Sequence, residues 1–305
     1  MRLARTYALS DPGRRRRQNE DSYVVSPPLF AVADGMGGAQ AGELASRIAV
    51  EAMREEPVTG GEERVAMLIR EANRRVFARS HEDASASGMG TTMTAALVGE
   101  DGTVTIGHVG DSRGYLLRAG KLEQLTEDHS LVAELVRTGR LSAKEAETHP
   151  QRSVITRALG TDPDVDVDVF TLQGEPGDVF LLCSDGLTTM VDDDEIQRVL
   201  SESGDDFEAA ARELVARANR GGGEDNITVI FFELEEGERV GEDEDTLTEA
   251  DQVPVIEATE DGHVRQAQPT RQEQLDATAR RVLIIVGVVA LVAVGIAVLL
   301  LGLRA

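Results

Sequence analysis

Four aspartates of this 305-residue chain stand where metal chemistry could be done: Asp34 in FAVADGMGG, Asp111 in GHVGDSRG, Asp185 in VFLLCSDG and Asp225 in EDNITVIFFEL. Each lies at the end of an apolar run that reads as a strand. A carboxylate there is fixed at the border of core and solvent, and a glycine beside it, as Gly35 follows Asp34, lets a backbone carbonyl approach the same ion. Taken singly, each is a turn residue, since Asp-Gly is among the commonest turn signals. Taken together in a stretch that must form one core, they imply converging carboxylates, which repel one another unless divalent cations neutralise them. An all-oxygen donor set favours Mg or Mn over Zn, and none of the five histidines has metal-ligand spacing. A second group precedes them in RRRRQNEDS. Arg14 to Arg17 alone would be a solvated basic patch or a nuclear-type signal, but Asn19-Glu20-Asp21 follows at once. Guanidinium beside carboxylate suits a site where one group grips a phosphate oxygen and its neighbours orient metal-bound water.

The elements that position these residues follow from periodicity. Arg2 to Leu9 reads as an opening strand closed by an Asp11-Pro-Gly turn, and Tyr23 to Val25 with Leu29 to Ala33 as a hairpin across Ser-Pro-Pro. Ala41, Leu44, Ala45, Ile48, Ala49 and Ala52 form a helical stripe, and a second helix is expected from Glu62 to about Ser80. Three short strands fill Gly90 to Leu117, and the tight turns between them predict antiparallel pairing of neighbours. A hairpin at Arg118-Ala-Gly-Lys follows, then a helix beginning at Thr126-Glu-Asp-His. Gly139 to Gly160 lacks long periodicity and reads as a surface flap. Val165 to Leu172 alternates valine with aspartate, a strand with one wet face. Two helices, Asp192 to Ser203 and Asp206 to Asn219, separate the buried strand before Asp185 from the last one after Asp225.

The charge balance, 31 Lys+Arg against 55 Asp+Glu for a net charge of -24, argues against nucleic-acid binding, which phosphate neutralisation by Lys and Arg drives. The lone Cys183 cannot make an internal disulfide and places the globular part in a reducing compartment. Its apolar surroundings make it a core residue rather than a nucleophile. The N-terminus lacks the apolar core of a secretory signal. Three segments are expected: a globular domain over 1–234, an acidic linker over 235–281 that is too polar to fold on its own, and an uncharged apolar stretch from Val282 to Leu303. At about 1.5 Å rise per residue the last is long enough to cross a hydrocarbon core roughly 30 Å thick. Arg280 and Arg281 before it place the domain on the cytoplasmic side, so a single-pass protein of the cell membrane is expected. An acidic docking tail is the alternative reading of the linker.

The ordered set RRQNEDS, FAVADGMGG, GMGTTMTAAL, GHVGDSRGYL, ITRALG, LLCSDGLT and EDNITV, covering roughly Leu3 to Leu234, resembles the metal-dependent (PPM, type 2C) serine/threonine protein phosphatases in their bacterial form. The resemblance implies an α+β fold: a β-sandwich of two antiparallel sheets flanked by helices on both outer faces, to which the sequence adds a C-terminal transmembrane helix. It implies two Mn or Mg ions, with Asp34 bridging them, the Gly35 carbonyl on one, and Asp185 and Asp225 on the other. Asp111 with Asp185 would match a third, weaker position, Glu20 and Asp21 would hold coordinated waters, and Arg16 would grip the substrate phosphate. A bridging water of lowered pKa would then attack phosphorus in line. The implied partners are phosphoserine and phosphothreonine proteins, serine/threonine kinases among them. A histidine stands at the position of Met36 in many eukaryotic members, where it serves as general acid, and a thioether cannot. The other readings are a non-catalytic binder of phosphoproteins that keeps the fold, and a phosphatase of small phosphorylated metabolites.

Overall fold

The computed structural model describes residues 1–54, 60–82 and 84–237. The acidic linker beyond 237 and the Val282–Leu303 span lie outside the described residues. No described helix is long and apolar enough to cross a membrane.

In chain order the elements are β1 (Arg2–Asp11), β2 (Ser22–Ser26), β3 (Leu29–Ala33), β4 (Gly35–Met36), α1 (Ala39–Arg54), α2 (Glu62–Glu82), β5 (Gly90–Thr91), β6 (Met93–Val98), β7 (Thr103–Val109), β8 (Arg113–Arg118), β9 (Lys121–Gln124), α3 (Leu131–Arg137), α4 (Ala143–Glu147), β10 (Asp168–Gln173), β11 (Val179–Cys183), α5 (Asp185–Thr188), α6 (Asp193–Ser203), α7 (Phe207–Gly221) and β12 (Ile227–Glu235). Two five-stranded antiparallel sheets, ordered β1-β12-β11-β8-β9 and β10-β7-β6-β3-β2, lie face to face, and β4 pairs with β5 at the margin.

Three apolar layers explain why the central strands read as continuous apolar runs. On β3 and β12, Phe30, Val32, Ile230, Phe232 and Leu234 point into the space between the sheets, where they meet Phe180, Leu182 and Ile106. Phe232 stacks on Phe30 at 4.3 Å and on Phe180 at 4.8 Å, each pair worth about 0.5–1.5 kcal/mol beyond its buried area. The alternate residues face outward. Ala31, Ala33 and Ala95 lie under α1 and α2, while Val229, Phe231 and Leu181 lie under α6 and α7. Both faces of the central strands β3, β6, β11 and β12 are dry, so period-2 alternation disappears there, while the outer strands β9 and β10 keep it. The sandwich flanked by helices on both outer faces is therefore as expected.

Three local expectations are corrected. β7 and β8 follow one another across Gly110-Asp111-Ser112 but do not pair. β7 lies between β6 and β10, whereas β8 lies between β11 and β9. The tight turn is a crossover between sheets, with Gly110 at φ 114°. The strand expected from Val165 begins only at Asp168, because Val165 and Val167 are partly buried against the α1–α2 layer without a strand partner. The helix expected from Thr126 begins at Leu131, where the Ser130 hydroxyl caps it; Thr126 is buried, and its hydroxyl accepts from the Gly114 amide. The flap contains the short α4, started by a capping box of Ser142 and Glu145. The flap's return is tied to the domain by Asn73, whose buried amide accepts from Gly160 and donates to the carbonyls of Asp162 and Pro163.

Candidate active site

The sandwich brings the predicted residues to one end of the two sheets. Asp34 leaves β3 with its backbone clamped. Its N–H donates to the Thr92 hydroxyl at 2.9 Å, and its carbonyl accepts from Thr92 N at 2.9 Å and Thr91 Oγ1 at 2.8 Å. Gly35 is wedged where a side chain has no room: a Cβ would lie 2.1 Å from the Gly42 carbonyl oxygen on α1 and 2.6 Å from that of Glu20. Gly42 reciprocates, since a Cβ there would lie 2.0 Å from Glu20 Oε2 and 2.8 Å from the Gly35 carbonyl oxygen. The Glu20 carboxylate and the Gly35 carbonyl thus share one backbone-lined cradle.

Asp21 is buried. Its Oδ2 accepts from Ser184 Oγ at 2.8 Å and Thr228 Oγ1 at 2.6 Å, while its Oδ1 has no partner. Asp185 opens α5 directly after β11, and its Oδ1 is likewise buried without a partner. Asp111 sits in the sheet crossover, 7 % exposed. Asp225 follows the glycine loop after α7 and accepts Arg16 Nη2 at 2.6 Å, while Arg16 Nη1 lies 3.5 Å from Glu20.

These charges feel one another. Burial first, then the charges of Asp21, Asp185, Asp111 and Asp225, holds the Asp34 carboxyl well above its ordinary pKa. Asp111 is raised by burial and then by Asp185. Asp185 is raised by burial and Asp225, against a hydrogen bond from Asp34 that works the other way. Asp21 is raised by burial in spite of its two hydroxyl donors, and Glu20 by burial in spite of Arg16. Among the described residues, no group of three or more acidic, histidine or cysteine side chains stands close enough together to hold an ion as it is. Carboxylates at one end of a core repel and are either held protonated or drawn in by a cation. The donor set fits a hard divalent cation: carboxylates and a carbonyl, two buried oxygens without partners, and a cradle shaped for close backbone approach.

The sequence pattern of the family described as "Protein phosphatase 2C" matches residues 16–226. The chain belongs to the protein phosphatase 2C family. It is 42 % identical over 247 residues to the serine/threonine phosphatase stp of Listeria monocytogenes, spanning 73 % of this chain and 93 % of that one. The crystal structure of the Mycobacterium tuberculosis serine/threonine phosphatase PstP/Ppp superposes with a TM-score of 0.72 at 40 % identity, over 77 % of this chain and all of that one. A structure of the PstP catalytic domain in complex with two manganese ions superposes with a TM-score of 0.70 at 37 % identity, over 77 % of this chain and 99 % of that one.

Within this phosphatase, the residues that tie the site together were less legible than the acids. Asn226, 1 % exposed, accepts from the Glu20 amide at 2.7 Å and donates to the carbonyls of Pro12 and Gln18, both at 3.0 Å. It binds the Arg16–Asp21 segment to the start of β12 across more than 200 residues. Ser184 and Thr228 aim Asp21, and Thr92 fixes both Asp34 and, through a 2.6 Å hydroxyl contact, Ser112. Asn226, Ser184, Thr228 and Thr92 all lie inside the motifs EDNITV, LLCSDGLT and GMGTTMTAAL, but nothing in their residue type marks them as hydrogen-bond partners of the acidic residues. Arg16, expected as a hand for phosphate, rests on Asp225 and Glu20.

Proposed function

We propose that this serine/threonine protein phosphatase hydrolyses phosphoserine and phosphothreonine in proteins with Mn or Mg held by Asp34, the Gly35 carbonyl, Asp185 and Asp225, with Asp111 and Asp185 offering a third, weaker position. The observation that carries this reading is the convergence of Asp34, Asp21, Asp185, Asp111 and Asp225, whose mutual repulsion costs stability without a counter-ion. Bound there, a pair of divalent cations supplies positive charge and an activated water nucleophile. The chain's own groups do the rest. Asp21, pinned through Oδ2, keeps Oδ1 free to accept a hydrogen bond from water, and Glu20 does the same from the cradle beside Gly35. Arg16 lies within reach of the cluster and exchanges Asp225 for the substrate phosphate, whose charge of about −2 attracts a guanidinium more strongly than a single carboxylate does. Met36, half-buried on β4, has no proton to give the leaving oxygen, so the proton comes from another donor.

The reading extends to a domain tethered at the cytoplasmic face of the membrane by Val282 to Leu303, where it opposes serine/threonine kinases. Hydrolysis of a phosphothreonine peptide by the full chain should depend on Mn or Mg and vanish in Asp34→Asn. Full turnover in metal-free buffer refutes the mechanism, and faster turnover of sugar phosphates or nucleotides than of phosphopeptides refutes the substrate class. Fractionation of cells carrying the chain with and without residues 282–303 tests the tether. Phosphoproteomes of a strain lacking the protein and of one carrying Asp34→Asn should show the same kinase sites rising.

A further inference from the structure

Arg14 to Arg17 do more than supply Arg16. Arg14, Arg15 and Arg17 are all exposed, and none has an ion-pair or hydrogen-bond partner for its guanidinium among the described residues. That is unusual in a chain of net charge -24, where Arg5, Arg113, Arg118, Arg157 and Arg217 each hold a carboxylate. The run is also not a loose tail. The amides of Arg14 and Arg15 both donate to the Gly223 carbonyl, at 2.8 and 3.1 Å. Gly13, at φ 76°, lies so close to the next loop that a Cβ would stand 2.2 Å from the Asp225 carbonyl oxygen. The turn bearing the three arginines is therefore built onto the loop that presents Asp225, and Arg16 in its middle reaches Asp225 itself. On the same loop, Glu224 lies 3.6 Å from Arg152 of the flap, so the charge of Arg152 is already matched.

Resting on the phosphatase reading above, we infer that Arg14, Arg15 and Arg17 form a basic collar that selects substrates with further negative charge beside the phosphorylated residue: an acidic or doubly phosphorylated segment. A protein this acidic repels such a substrate at long range. A fixed group of unmatched guanidiniums at the rim reverses the sign of the field where the substrate must dock. Exposed ion pairs are weak, each worth about a two- to threefold change in affinity. The three together give about a tenfold preference, and that preference collapses when the screening length falls from about 10 Å at 0.1 M salt to about 3 Å at 1 M.

The test compares kcat/KM of the full-length chain, loaded with Mn, on three phosphothreonine peptides differing only in their flanks: neutral, aspartate-rich and bearing a second phosphothreonine. Wild type should favour both charged peptides about tenfold at 0.1 M salt and little at 1 M. In Arg14→Gln/Arg15→Gln/Arg17→Gln the ratio of charged to neutral should approach one, and in Arg15→Glu/Arg17→Glu it should fall below one. Equal rates on all three peptides by wild type overturn the collar and leave the phosphatase standing, whereas hydrolysis of none of them overturns the phosphatase reading. The collar is equally overturned if the triple variant keeps the wild-type ratio but loses binding to phosphatidylserine vesicles relative to phosphatidylcholine ones, since the run then serves a membrane surface.

Discussion

Gly35→Ala is the sharpest probe of the cradle. The added Cβ would lie 2.1 Å from the Gly42 carbonyl oxygen, 2.5 Å from its carbon and 2.6 Å from the Glu20 carbonyl oxygen. Carbon and oxygen need roughly 3.3 Å, and all three atoms are backbone, so no rotamer relieves the clash. β4 must part from α1 and from the Glu20 segment by about 1 Å. Overpacking of this kind costs about 1–3 kcal/mol, and a shift of about 1 Å in a positioned group costs on the order of 100-fold in rate. The expected result is kcat on a phosphothreonine peptide down about 100-fold at saturating Mn, weaker Mn binding by calorimetry, and a Tm lower by several degrees. Gly114→Ala is the control. Its Cβ would meet Leu182, Thr126 and Thr94 at 3.4–3.6 Å, ordinary contact, so the variant should turn over like wild type and gain up to about 1 kcal/mol from the stiffer strand. A Gly35→Ala enzyme with wild-type kcat and Mn affinity would refute the cradle.

In metal-free buffer, Asp34→Asn should raise stability in chemical denaturation, because it removes one of the buried carboxyls whose charges oppose each other; the same change should abolish the stabilisation by Mn. Since the Asp34 and Asp111 carboxyls are raised in the folded state, the metal-free protein should lose stability as pH rises above the ordinary aspartate range. The Tm gain on adding Mn should therefore be larger at pH 8 than at pH 5, and an equal gain would count against the cluster. Arg16→Ala should raise KM about tenfold with a smaller effect on kcat, as loss of one charge-assisted contact predicts; an unchanged KM would place the phosphate elsewhere. His108, buried between the Thr94 hydroxyl and the Glu127 carbonyl, is held down to about 4, chiefly by burial and then by His129. Its contribution is complete above the unfolded pKa of about 6.5 and is lost as pH falls toward 4, about 3 kcal/mol in all. Urea midpoints across that window should fall less steeply in His108→Gln.

The sequence by itself determined the acids and their strands. A run such as VFLLCSDG has to be buried, and wherever it ends an aspartate must surface, so Asp34, Asp185 and Asp225 were legible as strand-end carboxylates. A helical stripe likewise named α1 with its buried face, and the ranges of α2 and α7 were legible to within a few residues. Pairing was a different matter, because local periodicity states which face of a strand is dry but not which strand lies beside it. Asp111 looked like the tip of a hairpin, and only the tertiary structure made its turn a crossing from one sheet to the other, which is what puts it beside Asp185. The hold of Asn226 on Pro12 and Gln18, and the salt bridge from Arg16 to Asp225, join residues some 200 positions apart. Such contacts exist only once the first and last strands of the domain, β1 and β12, have paired edge to edge.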